Sequence, residues 1–173
     1  MKHLYFCRHG ETEANAKGII TGSTETPLTG KGRSQAELAG RHAKNLEIDH
    51  IICSPLGRAH ETAMIIAKEI GFPIEKIELN SLFVERHFGE MEGQPYDIDA
   101  NIDGFIDVET TDTFLERAHL AYEHIKSLDA ESVLVVSHGK LGRALRTVIY
   151  PHIPLDDGNA KTRFPNAEIV KLI

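Results

Sequence analysis

The chain is poor in the residues that would tie it to a disulfide scaffold, to nucleic acid or to a membrane. Of its 173 residues only Cys7 and Cys53 are cysteines, and each closes an apolar run. Two thiols so placed argue against a disulfide framework and read as buried groups in a reducing compartment. Basic charge is also short: 19 lysines and arginines stand against 26 aspartates and glutamates, a formal net charge of -7. A general nucleic-acid binder needs a basic face to displace counterions, so no nucleic-acid partner is expected, and an anionic ligand must be met by arginines gathered locally. Long hydrophobic runs are missing as well. Before Arg8 only Leu4 to Cys7 is apolar, far short of a signal-peptide core, and no later stretch is long enough to span a bilayer. A cytoplasmic location and no membrane partner follow as expectations. Internal repeats, a His-Glu-x-x-His motif, a cysteine pair at zinc spacing and a Gly-Lys-Ser or Gly-Lys-Thr phosphate loop are all absent. His119 and His124, five apart, lie off a common helical face, and neither a metal nor a cofactor is expected.

What is present is the composition of a soluble globular protein, 41% hydrophobic and 26% charged. Its length suits a single domain over residues 1–173. Lys2 to Cys7, His50 to Cys53, Ile77 to Leu79 and Ser132 to Val136 are short apolar runs that read as strands, the last unbroken and so expected at the centre of a parallel sheet. Helical patterns separate them. A short helix is predicted near Glu11, and a glycine- and hydroxyl-rich loop from Gly18 leads to a helix from Gly32 to Asn45 carrying Ala36, Ala39 and Ala43 on one face. Ser54-Pro55 supplies a hydroxyl cap and a first-turn proline for a helix striped by Ala59, Ala63, Ile66, Ala67 and Ile70. Thr113 and Glu116 have capping-box spacing ahead of Phe114, Ala118, Ala121, Ile125 and Leu128. Gly139 opens a last helix, and an edge strand is expected within Ala167 to Ile173. Residues 81–112 lack periodicity and read as an insertion or active-site loop region.

Strands alternating with helices imply an α/β sandwich with a mainly parallel sheet, whose ligands bind at the carboxyl ends of the strands. Those ends carry Arg8-His9, then Ser54 with Arg58, then Glu85, then Ser137-His138. Arginine forks match phosphate oxygens, neutral imidazole attacks phosphorus, and a carboxyl group can protonate a leaving oxygen and then activate water. Each residue alone has a bland reading. Arg58 in a first helical turn can be a solvated surface residue, Glu85 is one of nine carboxylates from Glu85 to Asp112, and His138 can simply close a strand. Their coincidence at four strand ends outweighs these.

On these residues the chain resembles the histidine phosphatase superfamily, also called phosphoglycerate mutase-like. The resemblance rests on Arg8-His9-Gly10-Glu11-Thr12 with Asn15, Thr26-Pro27-Leu28-Thr29 with Gly32, and Ser54-Pro55-Leu56-Gly57-Arg58-Ala59 with Glu61-Thr62. It continues through Glu85 with Phe88-Gly89 and Glu92-Gly93, Ser137-His138-Gly139 and Pro165-Asn166-Ala167. It implies a three-layer α/β/α sandwich with mixed strand order 3-2-4-1-5-6, the fifth strand antiparallel. Relatives usually continue into a further strand after the position of Ile173, so that edge is expected to be reduced or missing. It also implies that His9 becomes a phosphohistidine, that Arg8, Arg58 and His138 bind the phosphoryl oxygens, that Glu85 is the proton donor, and that Asn15 and the backbone around Thr21, Gly22 and Ser23 line the pocket, without a metal.

The expected partner is a small-molecule phosphate ester, and the expected activity a phosphoric monoester hydrolase. Family mutases carry a longer segment between the acid and the second histidine, with basic residues for the substrate's other charges; here Arg86 is the only lysine or arginine between Glu85 and Asp112. A phosphoglycerate mutase is thus the second choice. A protein phosphohistidine phosphatase has less need of the general acid that Glu85 supplies.

Overall fold

The computed structural model describes residues 1–96, 102–156 and 163–173. Five strands form one sheet in the order β3-β2-β4-β1-β5, with β1 at His3–Arg8, β2 at His50–Cys53, β3 at Glu78–Leu79, β4 at Ser132–Ser137 and β5 at Ile169–Lys171. β1, β4, β2 and β3 pair in parallel, and β5 runs antiparallel on β1 with Cys7 opposite Ile169. The helices are α1 (Glu13–Lys17), α2 (Gly30–Ala43), α3 (Gly57–Ile70), α4 (Thr111–Ser127) and α5 (Gly139–Ile149).

Side-chain alternation along the strands builds two cores. Leu4 and Phe6 of β1 and Val133 and Val135 of β4 face one way, onto Phe114, Ala118, Ala121 and Ile125 of α4 and Leu141, Ala144 and Leu145 of α5. Tyr5, Cys7, Leu134 and Val136 face the other way, onto Ala39 of α2 and Ala59, Ala63, Ile66 and Ala67 of α3. The result is helix, sheet, helix. β4 is buried along its whole length, as a central parallel strand must be. The two cysteines are free and buried, burial pushing the Cys7 thiol up to about 12 and the Cys53 thiol up as well. Both are inert packing groups.

Three predicted helix starts move. α3 begins at Gly57 with Leu56 at its cap position. Ser54 does not cap it, because its hydroxyl is bonded to His138 while the Glu25 carboxylate receives the Gly57 N–H at 2.9 Å. α4 is capped by Thr110, whose hydroxyl accepts the Thr113 N–H. Thr113 is therefore three residues inside the helix. α2 starts two residues early, at Gly30, since Thr29 accepts the Gly32 N–H. β3 loses Ile77, whose N–H closes a 3-10 turn on Ile74.

The 81–112 region is held as short 3-10 turns at Ser81–Phe83, Gly89–Met91 and Ile102–Gly104. Its carboxylates do not all face water. Glu109 pairs with Arg117 of α4, and Asp103 with Arg86. Asp97 and Asp99 lie outside the described residues.

Candidate active site

Parallel pairing of β1 and β4 sets Arg8 beside Ser137, so the next residue of each strand, His9 and His138, leaves the sheet side by side. Their rings meet edge to face with centroids 5.2 Å apart. Nδ1 of His9 lies 2.8 Å from the Gly10 carbonyl oxygen. A carbonyl only accepts, so Nδ1 carries the proton and Nε2 keeps its lone pair. Burial holds the His9 imidazole well below its ordinary pKa; Arg8 and Arg58 push the same way, and the Gly10 carbonyl offsets a part. His9 is thereby a neutral imidazole with a fixed tautomer and an uncommitted Nε2.

His138 is fully enclosed, and its pKa is lowered chiefly by burial and then by Arg58. Its Nε2 is 2.8 Å from the Ser54 hydroxyl, which also accepts the Leu56 N–H. The ring and the hydroxyl thus share one hydrogen bond, which ties β4 to the end of β2.

Arg58 is 2% exposed, which overturns its reading as a solvated surface residue. Its Nη1 donates to Thr24 O at 2.9 Å and its Nη2 to Gly22 O at 2.6 Å. Arg8 donates through Nη1 to Phe164 O at 3.3 Å. Three buried nitrogens around His9 have no hydrogen-bond partner among the described residues: Nε of Arg8, Nε of Arg58 and Nδ1 of His138. An unpaired buried donor costs roughly 1–3 kcal/mol. The two guanidinium N–H groups among them mark a place built to receive an acceptor-rich group.

The turn carrying His9 is packed backbone to backbone. A Cβ on Gly10 would lie 2.3 Å from Gly32 O, and one on Gly32 would lie 2.1 Å from Glu11 O, so both positions need glycine for α2 to approach. The Gly10 N–H donates to the Thr62 hydroxyl, which donates to Arg58 O. Asn166 donates to His9 O at 2.9 Å and to Asn15 Oδ1 at 3.2 Å. Asn15 itself forms a capping box with Thr12. Opposite, Glu92 accepts the N–H groups of Ser23, Thr24 and Phe88 and the Ser23 and Thr24 hydroxyls, fixing the loop whose carbonyls hold Arg58.

Glu85 has its carboxylate on the first turn of α5. Oε1 accepts the N–H groups of Arg86 and Leu141 at 2.9 and 3.1 Å, and Oε2 that of Lys140 at 3.1 Å. Two arginines frame the segment bearing it: Arg86, 1% exposed, donates to Glu109 O, and Arg117 donates to the carbonyls of Leu82, Val84 and Glu85.

A cleft of about 350 Å³ opens here. Of the residues singled out from sequence, Arg8, His9, Asn15, Thr21, Gly22, Arg58 and Glu85 line it. His138 does not; it stands behind His9. Ser23 is also off the wall, because its N–H and hydroxyl are taken by Glu92 and its hydroxyl lies 2.8 Å from His87 Nδ1. Sequence reasoning missed Lys140, Arg143 and Arg163 and named Asn166 only within a motif, without a place in the site; all four line it. Lys140 and Arg143 sit three apart directly after His138, a spacing that puts both on one face of the helix. That was the available signal.

A cleft at the carboxyl edge of a mainly parallel sheet, holding a free imidazole nitrogen among buried, unsatisfied donors, defines an α/β enzyme of phosphate chemistry. Residues 4–173 match the Histidine phosphatase superfamily (branch 1), and the chain belongs to that superfamily. It is 36% identical over 162 residues to the protein named "Probable phosphoglycerate mutase GpmB" of Escherichia coli, covering 86% of this chain and 75% of that one. It is 35% identical over 159 residues to agropine synthesis reductase of Rhizobium rhizogenes, covering 86% of this chain but only 35% of that longer protein. Among solved structures, Rv3214 from Mycobacterium tuberculosis superposes with a TM-score of 0.82 at 33% identity, covering 98% of this chain and 90% of that one. The alpha-ribazole phosphatase of Shigella flexneri shares the fold, with a TM-score of 0.80 at 22% identity over 98% and 89% of the two chains. The described residues include no helix long and apolar enough to cross a membrane.

Proposed function

We propose that the chain hydrolyses small-molecule phosphate monoesters through a phosphohistidine on His9. The observation that carries this is the pair of buried Arg8 and Arg58 Nε–H groups, without partners among the described residues, beside a neutral His9. In the first half-reaction Nε2 attacks phosphorus, an N–P bond forms, the ester P–O bond breaks, and Glu85 delivers a proton to the departing oxygen. In the second, Glu85 takes a proton from water, the oxygen attacks phosphorus, the N–P bond breaks and inorganic phosphate leaves. Arg8 and Arg58 balance the charge on the phosphoryl oxygens throughout, and His138 supplies a further donor from behind the nucleophile. The scheme requires no metal. The Glu85 carboxylate is held on the first turn of α5 by three backbone N–H groups, so proton delivery to the leaving oxygen requires it to leave that turn.

A mutase is the second reading, favoured by the name of the Escherichia coli relative and by Lys140, Arg143 and Arg163 on the wall. That Arg86 is the only lysine or arginine between Glu85 and Asp112 argues less against it than the sequence suggests, since the cleft draws its extra cations from elsewhere. One experiment separates the readings. With labelled phenyl phosphate, rapid acid-free quenching traps alkali-stable phosphate on His9, inorganic phosphate accumulates without added bisphosphoglycerate, and His9→Ala abolishes both. Turnover that requires bisphosphoglycerate selects the mutase.

A further inference from the structure

The two peptides that follow the nucleophile have all four of their polar groups committed. The His9 carbonyl accepts from Asn166 Nδ2 at 2.9 Å, and the Gly10 N–H donates to the Thr62 hydroxyl at 3.0 Å. The Gly10 carbonyl lies 2.8 Å from His9 Nδ1, and the Glu11 N–H donates to Gln35 Oε1 at 2.9 Å. Neither peptide can rotate without breaking one of these bonds. The Gly10 carbonyl matters most, because the ring hydrogen bond it receives fixes the His9 tautomer and aims Nε2.

Thr62 differs from the other partners. It lies on α3 one turn after Arg58, is fully buried and does not line the cleft. Its one hydroxyl hydrogen goes to Arg58 O at 2.7 Å, since a carbonyl only accepts, and its oxygen is left to receive the Gly10 N–H. A bond from a helical threonine to the carbonyl four residues back is ordinary; here it also turns the hydroxyl oxygen toward the neighbouring turn. A single atom thus joins the nucleophile's peptide to the backbone of the arginine facing it. The Arg58 guanidinium does not depend on that link, because Nη1 and Nη2 are held by Thr24 O and Gly22 O on the loop fixed by Glu92.

We propose that Thr62 is a positioning residue for phosphoryl transfer, a role that rests on His9 as the nucleophile: its hydroxyl keeps the His9 turn in register with Arg58, so that Nε2 faces phosphorus while the guanidinium holds the phosphoryl oxygens. Without the hydroxyl, the Gly10 N–H loses its acceptor and the Gly10 peptide is free to turn. The carbonyl that holds the ring then moves with it. The anion clamp stays in place, so binding and reaction separate.

The test is rapid-quench kinetics on the full chain with p-nitrophenyl phosphate and phenyl phosphate, together with competitive inhibition by inorganic phosphate. Thr62→Val keeps the shape of the side chain and removes the hydroxyl. It is expected to slow phosphohistidine formation about 10²-fold, the effect of misplacing a reacting atom by about 1 Å, with both esters alike. The inhibition constant of inorganic phosphate should stay at the wild-type value, and Thr62→Ser, which retains the hydroxyl, should restore the rate. Equal loss with both esters separates this effect from that of Glu85, whose replacement should spare the better leaving group. Leu134→Ala, which removes packing and no polar contact, sets the baseline for destabilisation alone and should phosphorylate His9 at the wild-type rate. Wild-type rates in Thr62→Val, a Thr62→Ser as slow as Thr62→Val, or a loss of phosphate binding that matches the loss of rate overturns the assignment. Should Thr62→Val not fold, Thr62→Ala is read in its place, and failure of both to fold makes Thr62 a folding residue only and overturns it too. Phosphate trapped on wild-type His9 with rates unmoved by the substitutions removes the Thr62 role alone; wild-type turnover with no phosphate trapped removes the phosphohistidine reading and the role with it.

Discussion

At the scale of single residues the site works by withholding partners. His9 keeps Nε2 free because Gly10 takes the other ring proton, and it stays neutral because burial and two guanidiniums oppose protonation. This has a consequence for stability. Unfolded, both imidazoles titrate near 6.5; folded, His9 and His138 titrate well below it. Between those limits the unfolded chain holds more protons, so stability is fully present above about 6.5 and is lost as pH falls. Urea midpoints should be level from pH 8 to 7 and decline below about 6.5, and His138→Gln should make the decline shallower. An unchanged slope in that variant would place the titrating group elsewhere. For Glu85, replacement by glutamine should cost roughly 10²- to 10⁴-fold in kcat on esters with poor leaving groups. Steady-state assays across a series of aryl phosphates should show the loss shrinking as the leaving group improves; a uniform loss would take Glu85 out of proton transfer. Arg8, His9, Arg58 and Glu85 were legible because their chemistry is unusual at strand ends. Lys140, Arg143 and Arg163 were not: the spacing of Lys140 and Arg143 after His138 puts them on one helix face but does not say whether that face meets a cleft or water.

Between elements, contacts at backbone distance decide where the reactive groups sit. The first turn of α2 lies against the turn after β1 through Gly10 and Gly32, with no room for a side chain at either. Gly32→Ala must push Glu11 and the adjoining His9 turn away from α2, at a cost of about 1–3 kcal/mol. Urea unfolding should show that cost, and kcat should fall with it because His9 is displaced relative to Arg58. The start of α3 shows why boundaries were misread. Ser54-Pro55 has the residue types of a cap, but the Ser54 hydroxyl goes to His138 on another strand and Glu25, far away in sequence, serves Gly57. At α4 the cap moved for a local reason, since Thr110 three residues earlier accepts the Thr113 N–H. Capping is a local rule that a distant partner can override whenever it supplies the missing acceptor.

For the molecule as a whole, β4 is the common wall of both cores. Leu134 is buried in the α2 and α3 core, while its neighbours Val133 and Val135 are buried in the other. Leu134→Ala should therefore destabilise the chain by about 2–5 kcal/mol, measured by chemical denaturation, and a single transition by circular dichroism and fluorescence is expected if the two cores unfold together. What the sequence determined by itself was periodic: the apolar strand runs, the helical stripes Ala59 to Ala67 and Phe114 to Ile125, and hence an α/β order that must bring strand ends to one edge. Hydrophobic pattern is a property of neighbours along the chain, so it can be read there. Only the tertiary structure decided which ends are adjacent, that His138 stands behind His9 bonded to Ser54, that Ser23 is spent on Glu92, and that three cations from α5 and the last segment complete the cleft. Those depend on groups far apart in sequence meeting across low-dielectric space, where a partner's position settles both charge and tautomer.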